Sequence, residues 1–318
     1  METWIAWLLS SRRHDVLTKV LVFLVLFMLV RYIYHPWRHK RYYEEGFDQA
    51  TVYVLQRDAQ VYDSFYAEMY DLLHQSKQRL HKELELIGKT VSWEPHRSSV
   101  LDVGCGTGHA VGWLLQQGFV DVQGVDRSSA MVAVAHEQGL SEQQVRQGDV
   151  LDSLLYDRAR FTHLLCLYLT VYSFEDKRRF FSNCYHWLKP YGQVVVHVVD
   201  PKRYKPMKTC LPMIVNKGKK EQEKEGKKEK EKEEEQKEEK EEPRRLLFKG
   251  FQYEWKFSRE GFWNERFIDR STGKVREQEQ TLYFDDDIVA IAKGCGFVLQ
   301  GQIVLDTDQS LVVLQRRQ

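Results

Sequence analysis

The chain has 318 residues, 42% of them hydrophobic, enough to bury one sizeable core with an accessory element. Its 47 Lys and Arg nearly balance 46 Asp and Glu, so the formal charge of +1 gives no electrostatic reason to expect a nucleic-acid partner. Five cysteines, at 105, 166, 184, 210 and 295, form no C-x-x-C pair and no secreted spacing, which excludes a disulfide scaffold and reads as reduced and intracellular.

At the N-terminus, Val20 to Val30 is continuous apolar sequence between Lys19 and Arg31. Extended from Val16 to Tyr34 it approaches the roughly 20 residues that a spanning helix needs, and both cations can snorkel to headgroups. Tyr32, Tyr34 and Trp37 suit an interfacial belt. A cleaved leader fits less well, because Tyr-Ile-Tyr-His-Pro-Trp stands where small residues belong. Residues 1–45 are therefore expected to form a single-pass transmembrane anchor with its flanks, the alternative being a buried core helix. Arg31, Arg38, Lys40 and Arg41 slightly outnumber Arg12, Arg13 and Lys19, a bias that puts the following residues in the cytosol.

From Thr51 to Lys89 the pattern is helical, with Met69, Leu72, Leu73, Leu80, Leu84 and Ile87 at steps of three and four. Residues 46–212 as a whole are expected to hold these helices and the main core. The most informative stretch follows. Ser99 to Val103 reads as a strand that ends in an acid, Asp102, and runs into Gly104-Cys105-Gly106-Thr107-Gly108. Glycines at such a turn allow positive φ and let a ligand approach where a Cβ would collide. The dinucleotide fingerprint G-x-G-x-x-G would need glycine at 109, where this chain has His109. Cys105 reads as a small turn filler, since no His or Lys beside it in sequence would activate a thiolate.

A second strand, Asp121 to Asp126, ends in an acid about twenty residues past the glycines, where a doubly wound sheet places a carboxylate against ribose hydroxyls. Arg127-Ser128-Ser129-Ala130-Met131 then starts a helix with serine caps. Val145 to Val150, Phe161 to Tyr168 and Val194 to Val196 with its turn supply the next three strands.

Lys217 to Glu242 is almost entirely Lys and Glu, either a solvated helix or a disordered loop within an insertion spanning residues 213–245. Beyond it, Phe251–Phe257, Gly261–Asp269 and Val275–Phe284 read as an antiparallel meander, a small lid at residues 246–284. Trp255 and Trp263 in it suit either core packing or contact with a cationic acceptor. Residues 285–318 complete the core with a helix started by Asp285-Asp286-Asp287 and two last strands, Phe297–Leu305 and Ser310–Leu314.

The D-x-G-x-G-x-G turn and the motifs after it resemble, in order and spacing over about residues 99–200, the class I S-adenosylmethionine-dependent methyltransferases. The lid resembles that of the small-molecule amine N-methyltransferases. The resemblance implies a Rossmann-like seven-stranded α/β sheet and S-adenosylmethionine as cofactor. It carries cofactor contacts onto Tyr70, Asp102, Gly104, Cys105, Gly106, Gly108, Asp126, Arg127, Met131, Asp149, Val150 and Leu167. Tyr168, Thr170 and Tyr172 fall on the loop where the family contacts its acceptor, and Tyr168 and Tyr172 are the catalytic candidates. His197 lies within a strand and reads as a core histidine, and no metal-ligand spacing is present. The expected activity is methylation of a small amine or hydroxyl acceptor at a membrane. A protein or lipid-headgroup acceptor, or an inactive scaffold, remains the alternative.

Overall fold

A computed structural model describes residues 19–28, 51–74, 76–200, 203–204, 244–248, 250–258, 261–284 and 287–318. The chain divides into two units, residues 1–50 and 51–318. In the first, residues 19–28 are helical and expose apolar side chains such as Leu21, Phe23 and Phe27. Among the described residues no helix is long and apolar enough to cross a membrane. The rest of the expected anchor and most of the Lys/Glu insertion lie outside the described residues.

The second unit begins with strand β1 (Tyr53–Arg57), a 3-10 turn (Asp58–Gln60) and helices α1 (Ser64–His74) and α2 (Ser76–Thr90). Then come β2 (Ser99–Val103), α3 (His109–Gln116), β3 (Asp121–Asp126), α4 (Ser129–Glu137), β4 (Val145–Gln147) and β5 (Phe161–Cys166). A 3-10 turn (Thr170–Ser173), α5 (Lys177–Trp187) and β6 (Leu188–Val199) follow. The remainder is β7 (Arg244–Leu247), β8 (Phe251–Phe257), β9 (Phe262–Asp269), β10 (Val275–Thr281), α6 (Ile288–Gly294), β11 (Phe297–Asp306) and β12 (Gln309–Arg316).

Seven strands form the core sheet in the order β11-β12-β6-β5-β2-β3-β4, as the resemblance implies. The five from β6 to β4 are parallel, and β12 runs antiparallel to β6. Every residue of β2 is buried, as a strand covered on both faces requires. Apolar residues at helical spacing, Leu84 and Ile87 on α2 and Val111 and Leu114 on α3, join Val100, Val122, Leu165 and Val195 of the sheet in one cluster. Strand order reverses at β2, whose two neighbours are β3 and β5. A ligand cleft in such a sheet forms at the carboxyl ends of these strands.

The lid is larger than the expected three-stranded meander. Its order is β1-β10-β9-β8-β7, with β1 parallel to β10. Two expectations are corrected here. Residues 53–57, read as the start of a helix, form an edge strand, because Tyr53 to Arg57 find the open side of β10 more than 200 residues away. Residues 244 and 245, placed in the charged insertion, pair with β8 along with Leu246 and Leu247, so the sheet starts before residue 246.

The lid is fastened to the core through α1. Asp63 caps that helix by accepting from the Tyr66 amide at 3.1 Å and pairs with Arg276 of β10 at 2.5 Å. Gln280 Nε2 donates to the Tyr62 hydroxyl at 2.8 Å.

Candidate active site

The turn after β2 is held on the neighbouring strand by the Gly104 and Cys105 amides, both of which donate to the Val125 carbonyl. All three glycines have positive φ, but they serve different purposes. A Cβ at Gly104 would lie 2.5 Å from Thr170 Cγ2, and one at Gly108 would lie 2.4 Å from Leu140 Cδ1. Those two permit close packing. A Cβ at Gly106 would meet nothing within 4 Å, although the residue lines a cavity. Gly106 is therefore the position kept bare for a ligand.

Asp126 ends β3 beside it. Its Oδ2 accepts from the Gly106 amide at 2.9 Å and its Oδ1 from the Ser128 amide at 2.8 Å. These two bonds leave lone pairs on both oxygens for a ligand. Burial raises the pKa of Asp126 against these donors and the Arg127 charge. Ser128 also caps α4, its hydroxyl accepting from the Met131 amide at 3.1 Å.

The cavity has a volume of about 630 Å³, within the range of small-molecule sites. Of the residues expected at the cofactor, Tyr70, Gly104, Gly106, Asp126, Arg127, Met131, Asp149 and Val150 line it. Asp102, Cys105, Gly108 and Leu167 do not. Asp102 is buried at the end of β2, where desolvation and then the Asp126 charge push its carboxyl up to about 8. Burial likewise raises the Cys105 thiol well above its usual value, which fits a turn filler.

At the other end the wall is aromatic. Tyr62, Tyr66, Tyr70 and His74 recur every four residues into α1, so one stripe faces the cavity. His74 is held at both ring nitrogens: the Tyr66 hydroxyl is 3.0 Å from Nε2 and the Tyr168 hydroxyl 3.5 Å from Nδ1. Burial, then the Arg79 charge, lowers its pKa to about 3, so the imidazole is neutral at physiological pH. Tyr168 has φ +55°, an uncommon backbone for a bulky residue, with the Arg79 guanidinium 3.9 Å above its ring. Trp263 closes this end from β9, its ring centroid 5.8 Å from that of His74.

Tyr172, the second catalytic candidate, is turned away. Its hydroxyl accepts from the Val199 amide at 2.9 Å, its ring packs on Phe284, and it does not line the cavity. Thr170 does line it. His197 is fully buried and its pKa is lowered to about 3 by burial, as a core histidine should be. Trp255 is buried too, stacked on Tyr253. Sequence reasoning missed His74 as a site residue, although its four-residue spacing with Tyr62, Tyr66 and Tyr70 was a readable signal.

Among the described lining residues, Asp58, Asp126, Asp149 and Glu175 oppose a single fully charged cation, Arg127. That balance favours a positively charged ligand. The bare Gly106 cradle, the Asp126 carboxylate and the acidic lining fit S-adenosylmethionine, whose ribose needs acceptors and whose sulfonium is a cation. Among the described residues no cluster of His, Cys, Asp and Glu suits a metal ion.

Residues 100–192 match the family model of a methyltransferase domain. Over 112 residues the chain is 32% identical to a dTDP-3-amino-3,6-dideoxy-alpha-D-glucopyranose N,N-dimethyltransferase of Streptomyces fradiae, covering 35% of this chain and 42% of that protein. Over 98 residues it is 33% identical to phosphoethanolamine N-methyltransferase 1 of Triticum aestivum, covering 30% of this chain and 20% of that one. The chain thus spans less than half the length of these curated relatives. Among solved structures, it resembles an S-adenosylmethionine-dependent methyltransferase from Clostridium acetobutylicum (TM-score 0.52, 15% identity, 80% of this chain, 98% of that one). It also resembles an amino pentose methyltransferase from Micromonospora echinaspora solved with S-adenosylmethionine bound (TM-score 0.51, 18% identity, 80% and 98%). At these identities the structural likeness speaks for the fold.

Proposed function

We propose that the chain, whose residues 100–192 match a methyltransferase domain, is a class I S-adenosylmethionine-dependent methyltransferase that methylates the nitrogen of a small amine at a membrane surface. One observation carries this reading. A single cavity joins the bare Gly106 turn and Asp126 to an aromatic wall of Tyr62, Tyr66, Tyr168 and Trp263.

When bound, S-adenosylmethionine supplies an electrophilic methyl group on a cationic sulfur. Gly106 gives backbone access, and Asp126 accepts hydroxyl hydrogen bonds. The aromatic faces receive a cationic amine through their negative π clouds and exclude water, so that displacement proceeds by positioning in a dry site. An amine attacks only when neutral, so it must shed a proton. The neutral His74 and the hydroxyls of Tyr66 and Tyr168 stand where such an acceptor would lie. The excess of carboxylates in the described lining disfavours a phosphorylated acceptor.

Anchoring belongs to the same proposal. The apolar run from Val20 to Val30 and the exposed apolar side chains of helix 19–28 support a membrane-spanning segment, with residues 51–318 on the cytosolic side.

The test is methyl incorporation from labelled S-adenosylmethionine by the full chain, using ethanolamine, phosphoethanolamine, glucosamine, 2-phenylethylamine and the amines of a cell extract. Label in an unphosphorylated amine is the expected result. Label only in hydroxyl, protein or lipid products would reject the amine reading.

A further inference from the structure

Strand β9 alternates exposed Phe262 and Arg266 with inward Trp263, Glu265 and Phe267. A carboxylate on that inner face is out of pattern, since a charge is rarely buried without a partner. Glu265 is 3% exposed and does not line the cavity. Hydroxyls surround it. Tyr253 of β8 donates to Oε1, the Tyr66 hydroxyl of α1 also hydrogen-bonds the carboxylate, and Tyr62 lies near.

We propose that Glu265 receives the proton shed by the methyl acceptor, through a hydrogen-bonded chain running Tyr168, His74, Tyr66, Glu265. This rests on the amine-methylation reading above. Because an ionised carboxylate can only accept, the direction of every link is fixed. Tyr66 donates its single proton to Glu265, so it must accept from His74 Nε2–H. His74 is then the tautomer whose Nδ1 accepts from the Tyr168 hydroxyl. Tyr168, His74 and Tyr66 all line the cavity, and Tyr168, on the loop after β5, is where the chain begins.

The balance is simple. The N–H bond of the bound ammonium breaks with its electron pair left on nitrogen, which can then attack the methyl group, and the proton goes to Tyr168 Oη. The Tyr168 proton passes to His74 Nδ1, the Nε2 proton to Tyr66 Oη, and the Tyr66 proton to Glu265. The net change is a neutral amine ready to attack and a protonated Glu265; methyl transfer then gives a methylated ammonium, and the reverse order returns the proton to solvent once product has left.

The electrostatics support this direction. Burial raises Glu265 to about 7 against the hydroxyls of Tyr253 and Tyr66, so the carboxyl can be either empty or loaded near neutral pH. His74 faces Asp71 on α1, Arg79 on α2, Tyr168 on the loop and Trp263 on β9. Its lowered pKa makes it a conduit and leaves the proton to settle on Glu265. Glu265 is a relay residue, acting through Tyr66.

The experiment uses the full chain with labelled S-adenosylmethionine and the amine panel above, measuring kcat from about pH 5.5 to 9 around the expected inflection. Wild type is expected to rise with pH and level off just above neutrality. Glu265→Gln and Tyr66→Phe should each lose roughly 100-fold in kcat and flatten the profile, the low end of what positioned proton transfer contributes. Glu265→Gln, whose side chain does not line the cavity, should keep its affinity for S-adenosylhomocysteine by calorimetry within about two-fold, as for independent sites. Tyr253→Phe removes a donor without cutting the chain, so it should keep the plateau and move the inflection to higher pH. It also keeps the test open where Glu265→Gln fails to fold. Wild-type kcat and profile in folded Glu265→Gln, or an unmoved inflection in Tyr253→Phe, would overturn the relay alone. No methylated amine from wild type, with either panel or extract, would overturn the amine reading and the relay with it.

Discussion

The two ends of the cavity are built by different means. At the carboxyl ends of β2, β3 and β4 the ligand surface is mostly backbone: a bare glycine, amides bound to Asp126, and the start of α4, all within residues 104–150. At the lid end it is side chains, drawn from α1, the loop after β5, and strands β9 and β10, which are up to 218 residues apart. Backbone geometry tolerates one shape of ligand. A wall of phenols, an indole and a neutral imidazole can change its ligand by single substitutions, and it carries the titratable chemistry.

The largest expected effect is at the first end. Gly106→Val should abolish S-adenosylhomocysteine binding, because a side chain there enters the cavity from a residue at φ +53°. Asp126→Ala should cost roughly 1.5–3 kcal/mol of cofactor affinity by calorimetry, the range for hydrogen bonds to a charged group. Unchanged affinity in either folded variant would remove the backbone end from the account.

At the second end, Trp263→Phe keeps an aromatic plug while narrowing its face. A several-fold rise in acceptor KM is expected, with cofactor affinity within about two-fold. Equal losses in both would mean that the lid only stabilises the fold.

How far each end could be read from sequence follows the same division. Gly104, Gly106, Gly108, Asp126 and Asp149 lie in short contiguous motifs, where spacing alone sets geometry, so the sheet and the cofactor end were legible. Even there spacing did not distinguish the roles: Gly104 and Gly108 relieve packing against Thr170 and Leu140, and Asp102 is buried below the turn. The lid end depends on long-range partners. Tyr53 to Arg57 became a strand only because β10 offered an open edge. Tyr172 and Tyr168 sit on one loop, yet the backbone of β6 takes the first and His74 the second. Glu265 looked like any charge in an alternating strand, although period two already set it with Trp263 and Phe267 on the buried face.

A smaller effect sharpens the electrostatic contrast. Glu265 titrates near 7 when folded and near its usual 4.5 when unfolded, so only the unfolded state loses this proton first as pH rises. Folding stability from this group is therefore full below about pH 4.5 and is lost between there and about 7. Glu265→Gln should gain melting temperature relative to wild type across that window. A constant difference would show that the carboxyl is not perturbed.

The smallest effect is expected from removing residues 1–50, which should leave cofactor affinity of the remaining unit unchanged. Full-length protein should resist carbonate extraction from membranes, and its release would count against a spanning anchor.

The central claim is one cavity with a backbone-built cofactor end and a side-chain-built acceptor end. A crystal structure with S-adenosylhomocysteine tests it most directly. The account predicts the ribose against Asp126, the adenine between Met131 and Asp149, and the sulfur facing Tyr66, Tyr168 and Trp263. Cofactor density in the aromatic end, or away from Gly106, would contradict it.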